Sequence, residues 1–570
     1  MENKTCQNCK KEFVIEKDDF NFYEKIKVPP PTFCPECRFM RRMTWRNERV
    51  LYKRKCDLCH KNIIAMYHDS VSFPVYCREC WWSDNWDPSL YGVSYDMNRN
   101  FFDQYNDLSK TVPRFALWQR NVINSDYSNN VAESKNVYLS ISVVLESENV
   151  FYSKIIDKST DIIDCLIIKE GQNLYENIEG EKNYNCQYLL LSRNCLDSYF
   201  LVDCVNCSNC ILSYNLRNKE FFIYNKQYSK EEYYKELQKL NLKSRASREK
   251  LIKKFTEIKR ISIYRFANII RSVNSTGNNL SGVKNCKNSF DIYDSENIKY
   301  GYRLLNSFKD SMDTTQAIKS ELMYEYITGA LNDYNVKFSI SALNSVRNAD
   351  YTDSCMDCSN IFGCISLRKK EYAILNKIYT KEEFIKLKER IIKQMESMPF
   401  IDKLGNIYKY GEFFPIEISP WAYNETLAQE YFPLTKEEII KNGYSWYEPT
   451  IKNFNITILA ENIPDNIDEV DDKILEEVLG CKHKGNCNHQ CNIAFRLTNY
   501  EFSFYKKNNI PIPILCPNCR YYEKFLQLPA LKLWHRKCMK TGCKNEFETP
   551  YAPDRPEIIY CERCYQQEVY

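Results

Sequence analysis

Glycine is scarce in this chain of 570 residues, at 14 positions, and histidine scarcer still, at five. So little glycine opposes a linker-rich chain and suits short strands packed through aromatic side chains, with 43 Tyr and 30 Phe to supply them. No stretch approaches the roughly 18 consecutive apolar residues that a membrane span needs. The opening MENKTCQNCKKEF lacks the apolar segment of a secretory signal. Neither sign of charge dominates, with 79 basic against 75 acidic residues, so any nucleic-acid reading must rest on local patches. The motifs HExxH, GxSxG and GxGxxG are missing. GNNLSGVK, from Gly277, fails as a phosphate loop because Val283 separates Gly282 from Lys284 and no Ser or Thr follows. With so few histidines as general bases, the expectation is a protein that is not an enzyme, with no catalytic residues and no organic cofactor.

Cysteine is what the chain has in plenty, at 27 positions. Without an export signal they imply a reducing, cytoplasmic setting in which Cys-x-x-Cys pairs hold metal rather than form disulfides. At the N-terminus the pairs are Cys6 with Cys9, Cys34 with Cys37, Cys56 with Cys59 and Cys77 with Cys80. A shift of 482 carries Cys9 to Cys491, Cys34 to Cys516, Cys37 to Cys519 and Cys56 to Cys538, along with Phe13 to Phe495 and Arg38 to Arg520. A shift of 484 then carries Cys59, Cys77 and Cys80 to Cys543, Cys561 and Cys564. The two ends are copies of one double-zinc module. Cys6 would fall on Asn488, so Cys487 is taken as the missing ligand beside Cys491, although Cys481, His483 and His489 lie near enough to substitute. Four thiolates around one ion leave no open position, which predicts structural Zn2+, four ions in all.

Arg38, Arg41, Arg42, Trp45, Arg46 and Arg49 crowd the N-terminal module, and Arg520, Lys524, Tyr521 and Tyr522 recur in its copy. Arginine among aromatics suits phosphate neutralisation and base stacking, so these six residues are the candidate nucleic-acid contacts. The alternative is a basic face that offsets thiolate charge. The partner is expected to be a protein or a nucleic acid, with no membrane.

From Asn124 the text repeats: SKNVYLS, SENVFYS, STDIIDC. An Asn or Asp recurs at 136, 149, 161, 173, 183, 194 and 206, a step near 12. One short strand and one turn per unit predict a parallel coil with asparagine ladders at its corners, two units to each turn of the coil. An offset of 151 lays Cys204, Cys207 and Arg217 on Cys355, Cys358 and Arg368, so the coil is duplicated. Copy two replaces Cys210 with Ile361, which marks the ten central cysteines as core rather than ligands. The fold class is therefore mainly β: a duplicated right-handed parallel β-helix (solenoid) with helical inserts, flanked by zinc-ribbon or treble-clef-like modules. Its expected limits are 1–95, N-terminal double-zinc module; 120–228, first solenoid copy; 229–265, helical connector; and 272–379, second copy. There follow a helix at 380–398, an aromatic strap at 399–450, an acidic segment at 451–480 and the C-terminal module at 481–570. Zinc modules outside both tracts are expected to cap the coil ends and turn their arginines outward.

The Cys-Pro-x-Cys-Arg knuckles, WWSDNWDP, WAYNETLAQEYFPLTKEE and YAPDRPEIIYCERC resemble a group of uncharacterised zinc-ribbon proteins from candidate-phyla (Patescibacteria) bacteria. The resemblance implies zinc binding and a bacterial cytosolic setting, and carries no activity. The reading is a non-catalytic zinc-binding scaffold or interaction protein. The alternative is a β-helix enzyme acting on a carbohydrate or nucleotide, with purely structural zinc.

Overall fold

The computed structural model describes residues 1–329, 331–449 and 454–570. The expected junction between strap and acidic segment, at 450–451, lies outside the described residues. The chain is mainly β, with twelve α-helices among the described residues. Two tracts of short strands, Gln119–Ile123 to Glu220–Ile223 and Ile269–Ile270 to Glu371–Ile374, pair in parallel within themselves. In the first, Glu148 pairs with Thr160, Thr160 with Gln172, Gln172 with Tyr184, and so on to Ser208 with Glu220. Midway between, Lys154 pairs with Leu166 and Leu166 with Ile178. The chain thus returns to its register after 12 residues, one repeat unit and two short strands, which corrects the expectation of two units per turn. Nine strands, from Asn129–Tyr138 to Tyr184–Leu190, close into a ring because each of these two long strands pairs with both rows.

So tight a period needs a bend every third residue. Asn149, Tyr152, Ile155, Lys158, Asp161, Asp164, Ile167 and Glu170 all have positive φ. Asn and Asp tolerate that conformation, whereas for other residues it costs roughly 1–2 kcal/mol each. Compensation comes from the interior, where Val150, Ile156, Ile162, Ile168 and Leu174 are sealed from solvent. At one corner the side-chain amide of Asn124 donates to Asn136 (3.2 Å), Asn136 to Asn149 (2.9 Å) and Asn149 to Asp161 (2.8 Å). Further along, this ladder runs through Asn173 and Asn185. Asn183, which the sequence pattern places on the ladder, instead points inward and accepts the Cys195 N–H. The ten central cysteines are all buried, and Sγ atoms such as those of Cys204 and Cys355 donate to backbone carbonyls two residues back.

The second tract repeats the first with longer turns. Its register runs Glu296, Lys309, Glu321, Tyr334, Arg347, Ser359, Glu371, so three of its turns take 13 residues. The offset between copies therefore grows along the tract. GNNLSGVK begins with the strand Gly277–Ser281; a Cβ on Gly277 would lie 1.8 Å from the Ser289 carbonyl oxygen, so the neighbouring strand requires glycine there. Each tract ends in a two-strand hairpin, Glu220–Ile223 with Lys226–Gln227 and Glu371–Ile374 with Lys377–Ile378. The helices Lys230–Lys239 and Lys381–Ser397 follow, opened by capping boxes at Ser229 and Thr380. These hairpins and helices close each tract with its own chain. At the second tract the N-terminal module joins them, the Val93 N–H donating to the Leu375 carbonyl at 3.1 Å and the Asn376 amide to the Pro88 carbonyl at 3.0 Å. The strap is irregular and buries Phe413, Phe414 and Trp421, while the acidic segment forms short 3-10 turns, with Asp468 on Lys243 at 2.8 Å.

Candidate metal centres

Each half-module is a hairpin followed by a helix. The hairpins pair Glu2–Thr5 with Glu12–Ile15, Tyr52–Lys55 with Asn62–Ala65, Leu479–Gly480 with Ala494–Phe495, and Trp534–Lys537 with Glu546–Thr549. The helices Pro35–Met43, Arg78–Trp82, Pro517–Phe525 and Glu562–Val569 each have a cysteine as N-cap: Cys34, Cys77, Cys516 and Cys561. A helix N-terminus favours a thiolate there. His60 takes a left-handed turn after its hairpin knuckle (φ 61°) and is exposed, so it serves the turn rather than the site.

These elements bring together four groups of four sulfurs: Cys6, Cys9, Cys34, Cys37; Cys56, Cys59, Cys77, Cys80; Cys481, Cys491, Cys516, Cys519; and Cys538, Cys543, Cys561, Cys564. Within each group all sulfurs lie within 4.8 Å of one another. Zinc–sulfur bonds of about 2.3 Å in a tetrahedron require sulfurs about 3.8 Å apart. Cys9 and Cys34 are 3.7 Å apart, Cys59 and Cys77 3.8 Å, Cys481 and Cys519 3.8 Å, and Cys543 and Cys561 3.9 Å. Donor set and spacing fit a tetrahedral metal ion.

The third group departs from the sequence reading, because Cys481 takes the place expected of Cys487. In every half-module the N-cap cysteine donates its N–H to the first cysteine: Cys34 to Cys6 and Cys77 to Cys56 at 3.2 Å, Cys516 to Cys481 and Cys561 to Cys538 at 3.3 Å. Cys481 is thus the counterpart of Cys6. An ungapped shift could not find it, because the loop between the first two ligands is longer in this copy. Cys487 lies instead with His483 and His489, its sulfur 3.8 Å from that of Cys519.

Without a cation these thiols cannot ionise together. Hydrogen bonds from Cys34 and Cys37 pull Cys6 far down, and those from Cys481 and Cys519 do the same for Cys516. The Lys61 N–H brings Cys59 down to about 7. Burial opposes ionisation of Cys561, yet the Asn545 amide and the Cys564 N–H outweigh it and bring it to about 6. The proton-sharing neighbours go the other way, with Cys481 pushed up to about 12 by its bond to Cys516. Each cluster favours one thiolate, and the rest await a positive charge.

The arginines face inward. Arg38 and Arg42 on the helix Pro35–Met43 meet Asp313 at 2.8 and 3.2 Å, and Arg41 meets Glu325 at 2.7 Å and Glu412 at 2.9 Å. Arg46 pairs with Glu48 at 2.6 Å, and Trp45 packs on Phe414 with ring centroids 5.2 Å apart. All five side chains are buried. Arg49 stacks on Tyr521, 3.3 Å from its ring centroid, and donates to Asn518 at 2.9 Å, so the two terminal modules touch. None of the six therefore forms the outward face expected of a nucleic-acid contact. Buried carboxylates at the corners of the strand tract compete for guanidinium groups that spacing alone presents as free.

The copy repeats this docking in detail. Arg520 lies 2.9 Å from Asp164, and Lys524 lies 3.0 Å from Glu176 and 3.5 Å from Asp164. Tyr300 lies beside Arg38, and Tyr152 beside Arg520. The second half-modules match too: Arg368 lies over Trp81, and Arg217 donates to the Tyr565 hydroxyl. The first helix of the N-terminal module thus grips the second tract and that of the C-terminal module the first. Each module also meets the opening of the other tract: the Asn129 amide donates to the Asn47 carbonyl at 3.2 Å, and the Thr549 hydroxyl donates to the Phe266 carbonyl at 2.6 Å. Burial of Arg38, Arg41, Arg42 and Arg46 corrects the expectation that the arginines point outward.

No family model matches the chain, and no curated protein matches it. A solved structure from Desulfovibrio desulfuricans G20, provisionally assigned as an acetyltransferase, is similar at 11% identity over 51% of this chain and 75% of its own, with a TM-score of 0.11. A similarity that low carries no argument about fold or activity. Among the described residues no helix is long and apolar enough to cross a membrane.

Proposed function

We propose that the chain is a non-catalytic cytoplasmic scaffold in which four structural zinc ions organise paired clamps around a duplicated right-handed β-solenoid, leaving the outer surface to a protein partner. The observation that carries this reading is the crossed docking of the two helices. Arg38 and Arg42 on Asp313, with Arg520 and Lys524 on Asp164, turn the cationic face of both modules into the molecule. Zinc fixes each helix by its N-cap cysteine, and the helix then holds its cations where the tract places carboxylates. Binding of this kind supplies roughly 10–16 kcal/mol to a small domain, enough to order a module with little core of its own. A parallel coil that returns every 12 residues is the solenoid reading of the pairing, and its right hand follows the rule for parallel crossovers. The test is capture of partners on the tagged full-length chain with and without RNase. Capture that survives RNase supports a protein partner, and capture abolished by RNase returns the nucleic-acid reading through a surface other than the six residues named.

A further inference from the structure

The two terminal modules differ most between their first two ligands. Two residues separate Cys6 from Cys9, whereas nine separate Cys481 from Cys491, in the stretch CKHKGNCNHQC. The longer loop carries His483, Cys487 and His489, and it folds them against one sulfur of the neighbouring site. Ligand atoms of His483, Cys487, His489 and Cys519 all lie within 4.8 Å of one another, and Cys487 Sγ is 3.8 Å from Cys519 Sγ. That is the spacing of two thiolates on one zinc ion. In the N-terminal copy the corresponding sulfur, on Cys37, instead accepts a hydrogen bond from the Asn8 side chain at 3.3 Å.

We infer that this loop builds a fifth metal site, His483, Cys487 and His489 with Cys519, and that the Cys519 thiolate bridges it to the ion held by Cys481, Cys491 and Cys516. The inference rests on the four-cysteine reading of that neighbouring site. The Nδ1 atoms of both histidines are buried without a hydrogen-bond partner, as ligand atoms lacking their metal would be. The rings are already oriented for the task. His489 stacks on Tyr522 with centroids 5.8 Å apart, and His483 turns Nε2 toward the Glu523 carboxylate at 3.9 Å. A carboxylate behind a ligating imidazole is a common second partner of such rings. Charge favours the pair of ions as well. One zinc among four thiolates leaves two negative charges, whereas two zinc ions among five thiolates and two neutral imidazoles leave one. The donors, soft sulfur with imidazole, suit a closed tetrahedral zinc site with no open position for substrate.

The test compares the full-length chain with His483→Ala/His489→Ala and, separately, with Cys487→Ser, purified without chelators and counted by native mass spectrometry. The parent should carry one more zinc ion per chain than either variant, with hydrogen exchange of Pro517–Phe525 unchanged. After exchange into 113Cd, two resonances of the parent should be coupled to each other through the shared sulfur, and that coupling should vanish in both variants. Equal ion counts in parent and variants would overturn the inference while leaving four-cysteine sites intact. An extra ion without the coupling would overturn the bridge. A parent short of five that still loses one ion on substitution would support this site and point to failure of one of the other four.

Discussion

Arg38 and Asp313, 275 positions apart, meet with no solvent between them: Nε and Nη2 of the guanidinium each lie 2.8 Å from Asp313 Oδ2. Burial works against the guanidinium charge, and Asp313 outweighs it, so Arg38 is held well above its ordinary value. Breaking such a pair strands a buried charge, so Arg38→Met should destabilise the protein by about 3–5 kcal/mol. The double variant Arg38→Met/Asp313→Leu should recover part of that, because it removes both charges of the pair. It should not recover all, because Asp313 also serves Arg42 at 3.2 Å and its loss leaves Arg42 with Glu325 at 3.7 Å. Urea midpoints of the full-length chain measure both. A double variant as weak as the single one would mean that the pair does not act as a unit.

The arginine cluster makes a second prediction. Arg41→Ala, Arg42→Ala and Arg46→Ala together remove partners of Glu325, Glu412, Asp313 and Glu48. The expected outcome is a protein melting well below the parent. Thermal unfolding alongside a salt titration of single-stranded RNA binding separates the two readings. A variant that melts like the parent and loses only RNA binding contradicts the inward role.

Much of this was legible in the sequence, and what was missed has identifiable causes. Ligand pairs are local, so 15 of the 16 expected cysteines fall in the four clusters. The sixteenth place goes to Cys481, which the sequence offered only as a substitute for Cys487 because the loop is longer in that copy. The repeat step of 12 was visible, but periodicity alone cannot say whether one unit or two completes a turn. The bends that decide this fall on residues such as Tyr152 and Ile155, which carry no turn signature. The direction of the arginines depends on Asp313 and Glu325, which look like any other carboxylates until the tract brings them under the helix.

Removing one ligand should act locally. Cys34→Ser deletes a sulfur ligand at the start of Pro35–Met43 while leaving a residue that can still cap the helix, so its effect reads the metal alone. One zinc ion per chain should be lost, and amides across residues 1–60 should exchange much faster while the first strand tract stays protected. Elemental analysis and hydrogen exchange read the two halves. Uniform protection would contradict a structural role for that site.

Asp333 gives the pH prediction. Burial pushes its carboxyl up to about 7, although the Tyr326 hydroxyl donates to it at 2.7 Å and the Val346 N–H at 2.8 Å. Between pH 6 and 8 the folded chain holds a proton there that the unfolded chain has already lost, so stability falls as pH rises, by about 1.4 kcal/mol from this group. Burial pushes Glu179 to about 7 as well, so Asp333→Asn should reduce the slope in urea denaturation at fixed zinc by this group's share rather than abolish it. An unchanged slope would place the titration elsewhere.

The central claim, that zinc holds each module so that its helix can grip the opposite tract, is tested most directly by hydrogen exchange of the full-length chain before and after zinc is withdrawn. The account predicts that protection collapses in Pro35–Met43 and Pro517–Phe525. Tract strands beneath them, Lys309–Ile318, Glu321–Gly329 and Thr160–Ile163, should lose protection with them, while Glu220–Ile223 changes little. Full protection of both helices on their tracts in the zinc-free chain would contradict it.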